Sequence, residues 1–485
     1  MTPAKAALIQ DDVAVSYADL HRTATRLAHG LRQRGVERGD RVAFLGLNSI
    51  EMVAAMFATA RLGAVFVPVN TRLATPELVY VLSHSDAGLL LVEDTLAGPT
   101  EDQRIARLGV DTVVFSRAAG AGLKALEAGD ETEIDEPIGL DDLFMIQYTS
   151  GTSGRPKGVM LTHGNVIWNV YNLLVDIDLT SEEVALVTAP LFHTAALNQV
   201  LFPTVLKGGT ALIEAKFDPV RAIDLIEAKR VSLLFGVTSM YLALAAAPRF
   251  READLDSLRL ALSGGAPIPE SLLHTWRDRG LMIVQGYGLT EASPGTTMLR
   301  AADGVRKLGS AGTACFFTDV RVVHDDRETE VGELGEVLVA GPNVSPGYWR
   351  DEAATGAAFE EEWLHTGDLA VRDEDGYLRI VDRLKDMYIS GGENVYPAEV
   401  EQALHSHPDI AECAVIGVPD ETWGEVGRAF VVVRDGAQLD ADAVLAHLDG
   451  RLARYKLPRS VVFLPELPHN ASGKLVKSRL REAGQ

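Results

Sequence analysis

Residues 148–159 read Tyr148-Thr-Ser-Gly-Thr-Ser-Gly-Arg-Pro-Lys-Gly-Val159, and the apolar run Leu143-Phe-Met-Ile-Gln-Tyr148 leads into them. The run has the length and composition of a buried strand. Behind it stand hydroxyl residues at Thr149, Ser150, Thr152 and Ser153, glycines at Gly151 and Gly154, and one lysine, Lys157. Glycine lets backbone N–H groups turn toward a ligand and lets that ligand come close. N–H groups and hydroxyls together nest phosphate oxygens, and the lysine adds a mobile positive charge. The stretch therefore predicts a polyphosphate cradle at the end of a strand. It is not a Walker loop, which needs Gly-Lys followed at once by Ser or Thr. Here Pro156 precedes Lys157 and Gly158 follows it.

Outward from that loop, helix signals alternate with short continuous apolar runs. Ser16 is placed to cap a helix carrying Leu20, Ala24, Leu27 and Leu31, with Gly35 to stop it. Ser49 caps a second, with Met52, Met56 and Leu62, ending at Gly63. Strands are predicted at 42–45, 64–68, 89–92 and 112–115, with a helix after Pro76 and a surface connection over 117–139. Beyond the loop, strands are expected at 184–189, 231–235, 258–263 and 282–285, a turn at 205–209 and a helix over 218–229. This alternation indicates parallel sheets covered on both faces, an α/β fold. Ligands of such sheets sit beyond the carboxyl ends of strands. The glycine segments Ser263-Gly-Gly-Ala-Pro267 and Gln285-Gly-Tyr-Gly-Leu-Thr-Glu291 are thus expected to wall a pocket. From about Lys307 the pattern changes to antiparallel β structure, with strands at 320–323 and 335–340. A charged stretch at 381–386 precedes a compact α+β unit with strands at 411–418 and 429–433 and a helix over 442–453.

The chain has 485 residues and a net charge of −23, which argues against non-specific nucleic-acid binding. An acidic protein with anionic substrates must concentrate positive charge locally, so single lysines carry information. The two cysteines, Cys315 and Cys413, have no metal-type spacing and read as free buried thiols in a reducing compartment. No signal-peptide pattern and no membrane-spanning apolar run is visible, and a cytoplasmic location is expected.

The 148–159 stretch resembles the phosphate-binding signature of the adenylate-forming acyl-activating enzymes, the group of acyl-CoA synthetases, luciferases and peptide-synthetase adenylation domains. Further matches follow in order: Tyr287-Gly-Leu-Thr-Glu291, His365-Thr-Gly-Asp368, Tyr377, Asp382-Arg383, Lys385, Gly391-Gly392-Glu-Asn-Val-Tyr-Pro397 and Ser472-Gly-Lys474. The resemblance covers Tyr17 to Lys474. It implies ATP, Mg2+ and coenzyme A as cofactors, with Thr149, Ser150, Gly151, Thr152, Ser153, Gly154 and Lys157 around the phosphates. It sets Gly265, Ala266, Gly286, Tyr287, Gly288 and Thr290 along the nucleotide. Asp368, read as lying on a turn after Trp363, would take the ribose hydroxyls, with Arg383 assisting. Glu291 with Thr152 would meet the magnesium, a hard-oxygen set suited to it. Lys474 would stabilise charge as an anionic carboxylate attacks an anionic phosphate. Lys385 would be the hinge of a mobile small domain, and Gly391 and Gly392 would line the pantetheine path.

The resemblance also implies domains at residues 1–381, binding ATP and acid, and 382–485, carrying the adenylation lysine. The implied enzyme is an AMP-forming acid–thiol ligase, an acyl-CoA synthetase. It forms acyl-AMP plus pyrophosphate, then acyl-CoA plus AMP. In Pro190-Leu-Phe-His-Thr-Ala-Ala-Leu197, His193 stands where amino-acid-activating relatives place an aspartate, so an α-amino acid is disfavoured and His193 joins the catalytic candidates. Ala195, Ala196, Gly264, Gly265 and Gly288 leave room for a bulky acid, and Asn198 could meet a phenolic substituent. The segments at 391–399 and 454–458 are most similar to those of bacterial fatty-acyl-CoA ligases and feruloyl- or coumaroyl-type aryl-CoA ligases, and the two remain open. The rival readings are an enzyme that loads a carrier protein, a nucleotide-binding regulatory protein and, more distantly, a luciferase-like oxygenase. The partners expected are a small-molecule carboxylic acid, ATP and CoA, with no nucleic acid and no transmembrane segment, and a homodimer is admitted.

Overall fold

The computed structural model describes residues 2–117, 122–149, 156–265, 268–384, 386–390, 393–420, 423–449, 451–452, 454–470 and 475–483. The early helices form where their caps predict. Ser16 Oγ accepts from the Asp19 N–H and the Asp19 carboxylate accepts back from the Ser16 N–H, a reciprocal cap that opens helix Tyr17–Gln33. Ser49 Oγ caps helix Ile50–Arg61 at Met52 N–H. That helix buries Met52 through Met56 as well as Ala58 and Thr59. A helix apolar on so many faces belongs inside a core.

Two sheets hold that core between them. The first has six strands in the order 111–115, 87–93, 41–45, 65–68, 143–149, 157–162, all parallel except the last pair. The second runs six parallel strands, Ile283–Tyr287, Leu260–Gly264, Leu233–Phe235, Val184–Val187, Thr210–Ile213 and Ala6–Gln10, with antiparallel additions at both edges. One apolar cluster joins Phe44, Phe66 and Met145 of the first sheet to Leu8, Ala185 and Leu233 of the second. A third, antiparallel sheet is built from Asp319–His324, Leu334–Ala340, Trp363–Arg372 and Leu378–Arg383. A fourth spans Tyr388–Phe463 and closes its own core of Val400, Leu404, Val415, Val431 and Val444, forming a small C-terminal domain.

Several expectations need correction. Lys157, expected at the end of the loop, also opens a strand that was not expected, Lys157–Thr162, which turns back antiparallel on Leu143–Thr149. The expected turn at 205–209 is the end of helix Phe202–Lys207, stopped by Gly208 at φ +81, and strand Thr210–Ile213 follows it. The 117–139 connection is not merely superficial. It buries Leu123 and Leu126, and a Cβ on Gly30 would meet the Leu126 carbonyl oxygen at 1.6 Å. The helix expected over 442–453 is described as Ala441–Leu448, and Ala453 lies outside the described residues. Asp368 lies within strand Trp363–Arg372, beside register irregularities and next to Gly367 at φ +68, not on a separate turn. Both cysteines are free and buried, and burial raises both thiols. No helix among the described residues is long and apolar enough to cross a membrane.

Helix His163–Asp176 carries a stripe of amides where a core face would carry leucine. Asn165 donates to the carbonyls of Pro342 and Val344 at 2.9 and 2.8 Å. Asn169 donates to the Asn198 carbonyl at 3.0 Å and accepts from the Gly295 N–H at 2.9 Å. Asn172 accepts from the Phe317 N–H at 2.7 Å. Loops outside any sheet ladder must satisfy their main chain somehow, and these amides do it. Asn169→Leu is expected to lower the thermal unfolding midpoint, because each orphaned main-chain group costs about 1–3 kcal/mol. An unchanged midpoint would show that the loops need no amide there.

Candidate active site

The carboxyl ends of strands Leu260–Gly264 and Ile283–Tyr287 stop side by side, with Ser263 paired to Gln285 and Gly264 to Gly286. The wall they form is main chain. A Cβ on Gly264 would come within 2.9 Å of the Gly286 carbonyl oxygen, and one on Gly288 within 1.5 Å of the Pro294 carbonyl oxygen. Gly265 is exposed at φ +86, a backbone state that side chains resist. Thr290 begins a single helical turn over Thr290–Ala292.

Against this wall stands Asp368, only 5% exposed. Tyr287 Oη donates to its Oδ2 at 2.7 Å, and Arg383 Nε donates to its Oδ1 at 2.9 Å. Antiparallel pairing puts Asp368 directly opposite Arg383. Burial first, then the Asp368 charge, pushes the Tyr287 hydroxyl well above its ordinary range, so it stays a donor. A carboxylate offers about four lone-pair sites. Two donors leave room for a neighbouring pair of hydroxyls.

A second group gathers at the other end of the Tyr287–Glu291 segment. Tyr348 Oη donates to Glu291 Oε1 at 2.8 Å, and Lys157 Nζ lies 4.5 Å from the centre of the Tyr348 ring. Tyr348 is placed by its backbone. It forms a bridge with Val159, while Trp349 N–H donates to the Gly158 carbonyl at 2.7 Å and Ser345 N–H to the Glu291 carbonyl at 2.7 Å. Lys157 also borders a recess of about 410 Å³ with Tyr80, His84 and Trp349, so open space adjoins its side chain. Glu291 Oε2 has no hydrogen-bond partner among the described residues. No cluster of three or more His, Cys, Asp or Glu among them could hold a metal alone. A single carboxylate suits Mg2+, which typically takes one or two carboxylates and completes its sphere with water and substrate phosphates.

His193 lies apart, and no hydrogen bond or ion pair joins it to either group among the described residues. Its Nε2 is buried without a partner among the described residues. Burial, with the Arg72 charge behind it, pushes the imidazole down to about 4. Asn48 holds the approach: its amide donates to the Ala189 carbonyl at 2.9 Å and its oxygen accepts from Leu191 N–H at 2.7 Å. After His193 the chain passes through a wide π-helical turn, Leu197–Leu201, of a kind common near functional sites. Asn198, expected to face a phenolic substituent, spends its NH2 on the Ser293 carbonyl at 2.8 Å, and its Oδ1 is unpartnered among the described residues.

Of the other residues singled out, Thr149 ends its strand opposite Lys157. Ser150, Gly151, Thr152, Ser153, Gly154, Ala266, Lys385, Gly391, Gly392 and Lys474 lie outside the described residues. Sequence reasoning missed Tyr348, Asn48 and Asn343, whose amide donates to the carbonyls of Ala292 and Gly295. Gly347-Tyr-Trp349 follows a turn-like Asn-Val-Ser-Pro run and has no periodicity, so its signal is a buried-sized aromatic in a loop.

A family model described as AMP-binding enzyme matches residues 1–349, and one described as AMP-binding enzyme C-terminal domain matches residues 399–474. The chain is 50% identical to a feruloyl-CoA synthase of Amycolatopsis over 99% of its own length and 96% of the relative's. It is 42% identical to an indoleacetate–CoA ligase of Aromatoleum aromaticum over 99% and 96%. Among solved structures, the o-succinylbenzoate coenzyme A synthetase of Bacillus subtilis in complex with ATP and magnesium superposes with a TM-score of 0.90 at 35% identity, over 99% of this chain and 97% of that one. With the family models spanning most of its length and relatives aligned end to end, the chain belongs to the AMP-binding enzyme family.

Proposed function

We propose that this chain is an ATP- and Mg2+-dependent acid–CoA ligase acting on an aryl acid of the hydroxycinnamate type. The observation that carries the reading is the Asp368 carboxylate, buried between Tyr287 and Arg383 at the end of the glycine-walled strands. It is a fixed acceptor for a ribose diol, with the Glu291–Tyr348–Lys157 group farther along the same segment for the phosphates. In the first half-reaction a carboxylate oxygen of the acid bonds to the α-phosphorus of ATP and pyrophosphate leaves. In the second the CoA sulfur bonds to the acyl carbon and AMP leaves. Magnesium, when bound, offsets phosphate charge, and Glu291 and Thr152 are the residues that would hold it. The backbone of the 150–154 loop and the Lys157 ammonium would orient the polyphosphate.

Lys474 would stand against the acid and the α-phosphate in the first half, and a preorganised donor of that kind contributes about 10²–10³ in rate. The 382–485 unit would then swing about Lys385 to open a path along Gly391 and Gly392. His193, a neutral imidazole with a buried free nitrogen, would border the acid. The aryl preference is supported by the 50% and 42% identities to ligases of feruloyl and indoleacetate type. The named relatives use CoA, so loading of a carrier protein is not favoured.

The test is AMP release from the purified protein with ATP, Mg2+ and ferulate, octanoate, palmitate, benzoate or malonate, each with and without CoA. Release that needs CoA and is fastest with ferulate is expected. Fastest release with palmitate would move the substrate class to fatty acids. Pyrophosphate formed without CoA-dependent AMP would overturn the ligase reading. Asp368→Ala removes a charged hydrogen-bonding partner, so the KM for ATP is expected to rise about 10- to 100-fold, and steady-state kinetics at fixed acid and CoA would reveal it.

His193 gives a pH signature. Its folded value lies near 4, below the ordinary 6.5. The unfolded chain then binds the extra proton first, so stability falls as pH drops from 6.5 toward 4. His193→Asn should make that decline shallower by up to about 1.4 kcal/mol per pH unit. Denaturant midpoints measured across that window provide the check.

A further inference from the structure

Lys157 and Glu291 carry opposite charges and both face the aromatic ring system of Tyr348, yet no ion pair joins them among the described residues. The ring face holds the ammonium and the hydroxyl at the ring's edge holds the carboxylate. We infer that Tyr348 is a positioning residue that keeps this lysine and this glutamate apart, so that each stays available to the polyphosphate and its metal. The inference rests on the ligase reading given above.

The physical reason is competition. An ammonium and a carboxylate a few ångströms apart in a partly buried site attract strongly. A direct pair would neutralise both groups before any ligand arrived. A phenol inserted between them satisfies each one differently. The ring quadrupole stabilises the cation without hydrogen-bonding it. The hydroxyl fixes one carboxylate oxygen and leaves the other unpartnered.

Tyr348 is itself held firmly enough to act as a spacer. It is 8% exposed, bridges to Val159, donates its N–H to Thr355 Oγ1 at 3.0 Å and packs its ring edge-on to Phe359. Glu291 is tethered independently through the Ser345 N–H. Lys157 sits on a strand whose neighbours Gly158 and Met160 bond to the Gly347–Trp349 segment. Three chain segments distant in sequence thus converge on one ring.

The experiment separates the two halves of the phenol with a binding readout. The full-length protein is titrated with a non-hydrolysable ATP analogue, in EDTA and then with increasing Mg2+, and both the shift in Tm and the calorimetric Kd are followed. Tyr348→Phe keeps the ring and loses the hydroxyl. It should raise the Mg2+ concentration for half-maximal stabilisation about tenfold, as expected for loss of a hydrogen bond to a charged group, and leave analogue binding in EDTA within about twofold.

Tyr348→Met loses both contacts and lets Lys157 reach Glu291. Analogue binding in EDTA should then weaken about tenfold. Adding Glu291→Gln to Tyr348→Met should free Lys157 and restore that binding, a rescue that a merely structural tyrosine would not allow. The spacer role is overturned if Tyr348→Phe leaves the Mg2+ dependence unchanged, or weakens EDTA and Mg2+ binding equally. It is also overturned if Glu291→Gln fails to rescue Tyr348→Met. Should the wild-type protein itself show no stabilisation by the analogue with Mg2+, the ligase reading falls and the spacer role with it. A normal wild-type response with failed variants overturns the spacer role alone.

Discussion

The loops around the site hang from one helix face. Between residues 163 and 176, asparagine takes the inward positions at 165, 169 and 172. From there it supplies hydrogen bonds to segments that no sheet ladder reaches. Asn343 continues the arrangement by donating to the Ala292 and Gly295 carbonyls, both at 2.8 Å. The Glu291 segment and the turn after His193 are therefore referenced to the same rigid element, although they lie on different loops. A buried polar network confers such order only when nearly every member is paired. A leucine stripe would have given a helix of similar stability with the loops left to find their own positions.

The parallel and antiparallel parts of the fold divide the work. Strand Leu260–Gly264 ends in glycine beside Gly286 of its neighbour, and there the parallel sheet presents backbone. The antiparallel sheet, approaching from outside, supplies the buried carboxylate of Asp368 together with its cationic neighbour. The irregular register near Asp368 re-aims the strand locally, a common use of bulges beside active sites. The buried carboxylate and the glycine wall thus come from elements with separate folding logic, joined by the Tyr287 hydroxyl.

Much of the parallel framework was legible in the sequence because its signals are local. Ser16, Ser49 and Asp218 cap helices by hydrogen bonds spanning three residues. The continuous apolar runs at 64–68 and 143–148 became strands Val65–Pro68 and Leu143–Thr149, both buried through their middles. Strand 210–213 was not legible: Thr-Ala-Leu-Ile follows a helix directly and owes its state to neighbours at 184–187 and 6–10. The hairpin return at 157–162 and the bulge near Asp368 depend on partners in the same way. Asp368, Arg383 and Glu291 were found through motif resemblance. Tyr348 was not, since its contacts to Glu291 and Lys157 arise only where separate segments meet.

The glycine wall also bears on how such a site can change over generations. A surface made of main chain has nothing to trim. At Gly288 any substitution would drive a carbon into the Pro294 carbonyl at 1.5 Å, and at Gly264 it would crowd the Gly286 carbonyl of the adjacent strand at 2.9 Å. Variation is left to boundaries that carry side chains, such as the stretch from His193 through the π-helical turn to Leu201. Such a boundary can change while the main-chain wall stays constant, so one scaffold can carry differently lined sites.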